Sequence, residues 1–235
     1  GAPISDITAG IIAAMGVSAA YARMLQTGEG QKVDTSLFEA AITQTYWQSA
    51  IAFATGTSPG PLGSAHPLNA PYQSFCTSDG WINVGAANQR NWERFLEVIC
   101  APELGHDPRF ASNQDRMQNL HALEGILNEK LGHETTQVWL DRMEAAGLPA
   151  GPVLDILEMH RDPQTLARDM IVEVAHPKAG NVQTLGHPIK FSETPASVRS
   201  AAPVLGQHSR EVLGEAGYDS AAIDAMIATG AVIAA

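Results

Sequence analysis

The sequence is poor in cysteine: only Cys76 and Cys100 occur, far apart and in no CxxC or zinc-ligand spacing. A disulfide framework and a metal knuckle are thereby excluded, and a reducing cytoplasm fits. Basic residues are also scarce, 14 Lys and Arg against 25 Asp and Glu, for a formal charge of -11 with no basic block. A phosphate backbone would be repelled overall, which excludes nucleic acid as a partner. Long apolar runs are missing too. The stretch from Ile11 to Leu25 is interrupted by Gly16, Ser18, Tyr21 and Arg23, so no membrane span is expected. The opening residues 1–6 contain no basic segment followed by an apolar core, and so do not read as a secretory signal.

Several catalytic motifs are incomplete or absent. His133-Glu134-Thr135-Thr136-Gln137 has glutamine where a zincin helix needs its second histidine, and one ligand is lost. Gly28-Glu29-Gly30 lacks the third glycine of a dinucleotide fingerprint and follows a helical pattern, not a strand. There is no GxxxxGK[ST] phosphate loop and no GxSxG nucleophile elbow.

What is present is 235 residues at 45% apolar composition, enough for one large domain or two smaller ones. Residues 7–26 are small and apolar and predict a helix buried on most sides, stopped at Thr27-Gly28-Glu29-Gly30. Lys32 to Ser36 predicts a short strand, and Leu37 to Ala54 a second helix, together an α/β layer. The Gly- and Pro-rich residues 56–71 read as a linker. Beyond them Ser78-Asp79-Gly80 predicts a hairpin, because Asp-Gly tolerates the positive φ of a tight turn. Helical stripes follow at Trp92/Phe95/Leu96/Ile99, at Met117/Leu120/Leu123/Leu127/Leu131 and at Trp139/Leu140/Met143. Residues 171–175 and 182–191 predict two more strands around Ala179-Gly180-Asn181. Pro195 and Pro203 mark another linker, and two terminal helices end the chain.

Two places could carry chemistry. Asp6 stands just before the first apolar helix, where its carboxylate could cap the helix by accepting the amides of Thr8 or Ala9. The same amides and the helix dipole favour the charged form of a carboxylate, which can then act as a nucleophile. Leu62-Gly63-Ser64-Ala65-His66-Pro67 offers a glycine through which backbone can approach a ligand, flanked by a hydroxyl and an imidazole. A loop this rich in Gly and Pro also serves simply as a connection.

Taken in order, residues 1–10 (Gly-Ala-Pro-Ile-Ser-Asp-Ile-Thr-Ala-Gly), Thr27 to Leu37, Gly63 to Pro67, Pro71 to Phe75, Asp79-Gly80, Ala150 to Val153 and Ala202 to Ser209 resemble the class III CoA-transferases of the CaiB/BaiF family. The resemblance covers essentially the whole chain. It implies an α/β fold in which residues 1–55 and 194–235 are pieces of a large α/β domain and residues 72–193 form a smaller α+β domain with hairpins and a helical layer. It further implies transfer of CoA from an acyl-CoA thioester to a carboxylic acid, through an aspartyl anhydride and an aspartyl-CoA thioester. Asp6 matches the family's aspartate. Gly63 and Ser64, and more distantly His66, match a glycine-bearing segment that closes near the reaction centre in some members. No tightly bound cofactor is implied, coenzyme A being the substrate.

The family's nucleotide-binding-like half, which precedes this aspartate and forms most of the CoA pocket, has no counterpart in these residues. The expectation is a carboxy-terminal portion that binds CoA poorly alone and works as a homodimer, or with a chain carrying the other half, family members being interlocked homodimers. A polyanionic ligand on a chain of this charge must rely on local amides and a few cations. A second subgroup racemises α-methylacyl-CoA esters, using a histidine of the absent half and a glutamate after the second hairpin strand. Here that stretch is Gly85-Ala86-Ala87-Asn88, and Asn88 is no carboxylate, which favours transfer. A reading of another class is a non-catalytic assembly piece in which Asp6 only caps its helix.

Overall fold

The computed structural model describes residues 1–235. Apolar, helix-forming residues carry helix α1 from Ile4 to Thr27, and Gly28 ends it in the left-handed conformation (φ 76°), donating its amide to Met24. Residues 31–36 carry no regular secondary structure and pair with no strand, so the predicted strand is not formed. Instead Val33 crosses α1 at Gly16, where a Cβ would come within 2.8 Å of its methyl group. Only glycine leaves room for that crossing. The predicted second helix is two, α2 (Leu37–Thr43) and α3 (Tyr46–Thr55), because the hydroxyls of Thr43 and Thr45 bond back to Ala40 and Ile42 and break the ladder.

Strands β1 (Tyr72–Cys76), β2 (Trp81–Gly85) and β3 (Ala150–Pro152) form an antiparallel sheet in that order. The hairpin forms where the sequence predicts it, by a different mechanism. Neither Asp79 nor Gly80 takes a positive φ. The loop is closed by the Thr77 amide donating to the Gly80 carbonyl, and the Asp79 carboxylate accepts the amide and hydroxyl of Thr136. That ties the turn to the first residue of helix Thr136–Ala145.

Strand alternation turns Phe75, Ile82 and Val84 inward, onto helices α4 (Gln89–Val98), α5 (Asn113–Gln118), α6 (Leu120–Leu131) and α7 (Thr136–Ala145). The predicted stripes face the core: Trp92, Phe95, Leu96, Ile99, Leu123, Leu127, Leu131, Trp139 and Met143 are buried, and Met117, Leu120 and Leu140 pack against them partly buried. Each buried side chain contributes roughly 1.5–3 kcal/mol of transfer free energy.

Helices α8 (Ile156–Arg161) and α9 (Pro163–Ala167) lead into a separate antiparallel pair, β4 (Ile171–His176) with β5 (Gly180–Leu185). Helices α10 (Ser209–Glu215) and α11 (Ser220–Ala228) close the chain. Internal contacts divide the molecule into Gly1–Val153 and Leu154–Ala235. The β4–β5 hairpin falls in the second of these units, with the terminal helices.

Helix α1 departs from the expectation of burial: Ala20 alone is buried, while Ile7, Ile11, Met15, Tyr21 and Leu25 are exposed. The neighbours it has, α2 and the Val33 segment, cover one side only. At 24 residues, α1 is long and apolar enough to cross a membrane by length and composition. The breaks read in the sequence do not exclude it on those measures, which the core helix of a soluble protein meets equally.

Candidate functional site

Asp6 does not cap α1. The helix begins two residues earlier, Pro3 holds the cap position without a side-chain bond, and Asp6 is the third residue of the first turn. Its side chain is exposed and takes no hydrogen bond within the chain. The reason lies in Pro3 and Ile4: proline at the cap and the Ile7 amide bonding to the Pro3 carbonyl start the helix early. A negative charge in this turn still meets the favourable end of the dipole. Nearby, the Thr8 hydroxyl accepts from Gln44 Nε2 (3.2 Å), which fixes this end of α1 against α2.

The Gly63–Ser64–His66 loop runs beside the free edge of β1. The Ser74 amide donates to Ser64 Oγ (3.1 Å) and the His66 amide donates to the Tyr72 carbonyl (2.9 Å). One residue pair further, the Cys76 amide donates to Asn128 Oδ1 (2.8 Å). These bonds satisfy an edge that would otherwise present open amides. Gly63 is in the left-handed region (φ 62°) with open space where a side chain would be. The His66 ring accepts the Leu68 amide at Nδ1 (3.1 Å), so the neutral ring carries its proton on Nε2. It can therefore donate a hydrogen bond from Nε2. The same ring stacks on Tyr72 and meets the Trp47 edge, 5.5 Å between centroids. The structure thus brings Gly63, Ser64 and His66 together on one anchored loop, and no hydrogen bond joins Asp6 to them.

Sequence reasoning missed a hollow on the outer face of the sheet. Antiparallel register sets Gly85 opposite Tyr72 and Gly151 opposite Asn83, so two glycines lie where outward side chains would stand. The result is a cavity of about 490 Å³ bounded by Tyr72, Asn83, Asn88, Asn91 and Pro149. Glycine at outward strand positions was the available signal. Beside it, a second cavity is lined by Asn69, Asn88, Gln89, Ser112, Asn113 and Arg116. Asn88, where the racemase subgroup would have its glutamate, caps α4 by accepting the Asn91 amide at Oδ1 (2.8 Å).

A sequence model described as CoA-transferase family III matches residues 1–209. The chain belongs to the CoA-transferase family III. The acetyl-CoA:oxalate CoA-transferase of Acetobacter aceti is 36% identical over 194 residues, covering 82% of this chain and 48% of that protein. The mouse succinyl-CoA:glutarate CoA-transferase is 29% identical over 234 residues, 99% of this chain and 53% of that protein. A crystal structure of a CaiB/BaiF family protein from Brucella suis superimposes with a TM-score of 0.78 at 30% identity, covering 92% of this chain and 56% of that one. The chain spans about half the length of the curated relatives it matches. Mixed helix and antiparallel sheet is accordingly this family III chain's architecture.

Proposed function

We propose that this chain supplies the nucleophile of a CoA-transferase working between an acyl-CoA and a carboxylic acid, with Asp6 as the reacting group. The observation that carries the reading is an exposed carboxylate, unengaged by any hydrogen bond, in the first turn of a helix within the family-matched residues. An Asp6 oxygen attacks the thioester carbonyl; the C–S bond breaks, leaving a mixed anhydride and the CoA thiolate. The thiolate attacks the Asp6 carbonyl, forming an aspartyl-CoA thioester and releasing the donor acid. The acceptor carboxylate attacks in turn, freeing CoA thiolate, which takes the new acyl group and restores Asp6. The Gly63–Ser64 backbone and the His66 Nε2–H are suited to hold the oxyanions formed at these steps. Coenzyme A enters and leaves as substrate, so no resident cofactor is required.

Relatives are named for oxalate, glutarate and mesaconate, all dicarboxylic acids, which supports a dicarboxylic acceptor for this chain. The exposed apolar side of α1 fits burial under the remainder of the protein or a second subunit, within an interlocked dimer. The same packing would join residues 1–55 and 194–235 to the large domain. Two unpaired thiols fit a cytoplasmic setting.

The test is to incubate the full-length protein with acyl-CoA and trap a hydroxylamine-sensitive thioester on the peptide containing Asp6. Adduct at that residue supports the reading. Undiminished exchange by Asp6→Ala would overturn it.

A further inference from the structure

Arg116 is fully buried and its guanidinium faces no carboxylate. Nε donates to the Ala70 carbonyl (2.7 Å), Nη1 to the Phe110 carbonyl (3.1 Å) and to Gln89 Oε1 (3.3 Å), and Nη2 to the Ala87 carbonyl (3.3 Å). A guanidinium has five N–H groups, and one on Nη2 remains unused. Burial pushes this group below the ordinary arginine pKa, and the charge of Asp115 pushes it back only in part. A buried charge with no carboxylate in hydrogen-bond contact is costly, and an incoming anion would offset that cost.

The surroundings share the same surplus of donors. The guanidinium lies 5.0 Å from the centre of the Trp92 ring, whose Nε1 is buried without an acceptor. The ten-residue α4 begins here, with no acidic residue in its first turn. Asn88 Oδ1 satisfies the Asn91 amide, leaving the amides of Gln89 and Arg90 as the turn's free donors. No acidic residue lines the adjoining cavity of about 750 Å³. The other three acceptors of Arg116 are backbone carbonyls, so Gln89 Oε1 is its one replaceable partner. Its amide bridges Arg116 to Glu93, with Nε2 donating to Glu93 Oε1 (3.2 Å).

We propose that this cavity binds a carboxylate, the non-reacting one of a dicarboxylic acid acceptor, which displaces Gln89 Oε1 from Arg116 and takes the first amides of α4. The dicarboxylate part of this inference rests on the transferase reading above. A single buried cation matches a singly charged, planar anion better than a phosphate dianion.

The experiment uses the full-length protein and follows its melting temperature with glutarate, propionate or inorganic phosphate. It compares wild type with Gln89→Glu, which places a tethered carboxylate in the Arg116 slot, and with Gln89→Ala, which empties it. Glutarate should raise the melting temperature of wild type and of Gln89→Ala, but not of Gln89→Glu. In turnover assays Gln89→Glu should raise the acceptor KM roughly tenfold while leaving the acyl-CoA KM unchanged. Glutarate binding should survive Asp6→Ala, which separates this site from the nucleophile. No glutarate response in wild type, an equal response in Gln89→Glu, or phosphate binding at least as tightly as glutarate would each overturn the proposal.

Discussion

The imidazole of His66 lies flat on the ring of Tyr72, with centroids 5.2 Å apart and planes inclined by 1°. One partner sits in the Gly- and Pro-rich loop and the other opens strand β1, so the stack fastens a chain segment that has no secondary structure of its own. The Leu68 amide on Nδ1 fixes the ring's rotation as well as its place. His66→Ala should cost about 1–2 kcal/mol, from a lost aromatic contact and a lost hydrogen bond. His66→Phe should recover the stacking share alone. Thermal melts read the stability, and limited proteolysis should cut within residues 55–71 faster in the alanine variant.

Asp6 makes no capping bond, and its removal should barely change stability. Asp6→Ala and Asp6→Asn in the full-length protein should melt within about 0.5 kcal/mol of wild type while losing CoA exchange. Circular dichroism melts beside a radiolabelled exchange assay check both halves. A variant that unfolds, or one that retains exchange, counts against the nucleophile.

Asp79 joins the hairpin turn to α7, and the Thr136 amide holds its carboxyl below the usual aspartate range, outweighing the opposing effect of burial, with the Thr136 and Thr77 hydroxyls adding to it. A carboxyl depressed in the folded state stabilises above its unfolded value, here 3.8, and that contribution fades as pH falls through the lower folded value. Asp79→Asn should therefore be less stable than wild type at pH 6, and the gap should close as pH falls from about 4 toward 2. Urea midpoints measured across that range test the sign. A gap that widens in acid would contradict it.

Arg116 holds the carbonyls of Ala70, Ala87 and Phe110. Arg116→Met keeps the bulk and strands three acceptors, each worth about 1–3 kcal/mol when left unsatisfied in the interior. A loss on the order of 3 kcal/mol or more is expected by urea denaturation. Arg116→Lys should recover only part of it, since one ammonium cannot span the fan of carbonyls.

Much of the local architecture could be read from residue order. Trp92, Phe95, Leu96 and Ile99 recur at helical spacing and all are buried; Gly28 stops α1 in the left-handed conformation. Asp79-Gly80 marked the hairpin, although Asp79 contributes through Thr136, fifty-odd positions along, in place of a positive φ. The break between α2 and α3 depends on two threonine hydroxyls turning back on the chain, a competition that periodicity does not register.

Asp6 and the Gly63–His66 loop could be singled out from order alone, because the residue types of a motif are carried by the chain itself. What they touch could not be. Ser64 takes an amide of β1, His66 meets Trp47 and Tyr72, and Arg116 gathers the carbonyls of three loops, each through partners set by folding. By itself the sequence determined the family, the helical stripes of the core and the candidate nucleophile, since these depend on nearest-neighbour chemistry and spacing. The tertiary structure alone decided that Asp6 is uncapped, that an arginine is buried without a counter-ion, and that two glycines hollow the sheet, because burial and charge balance are properties of surroundings assembled from distant residues.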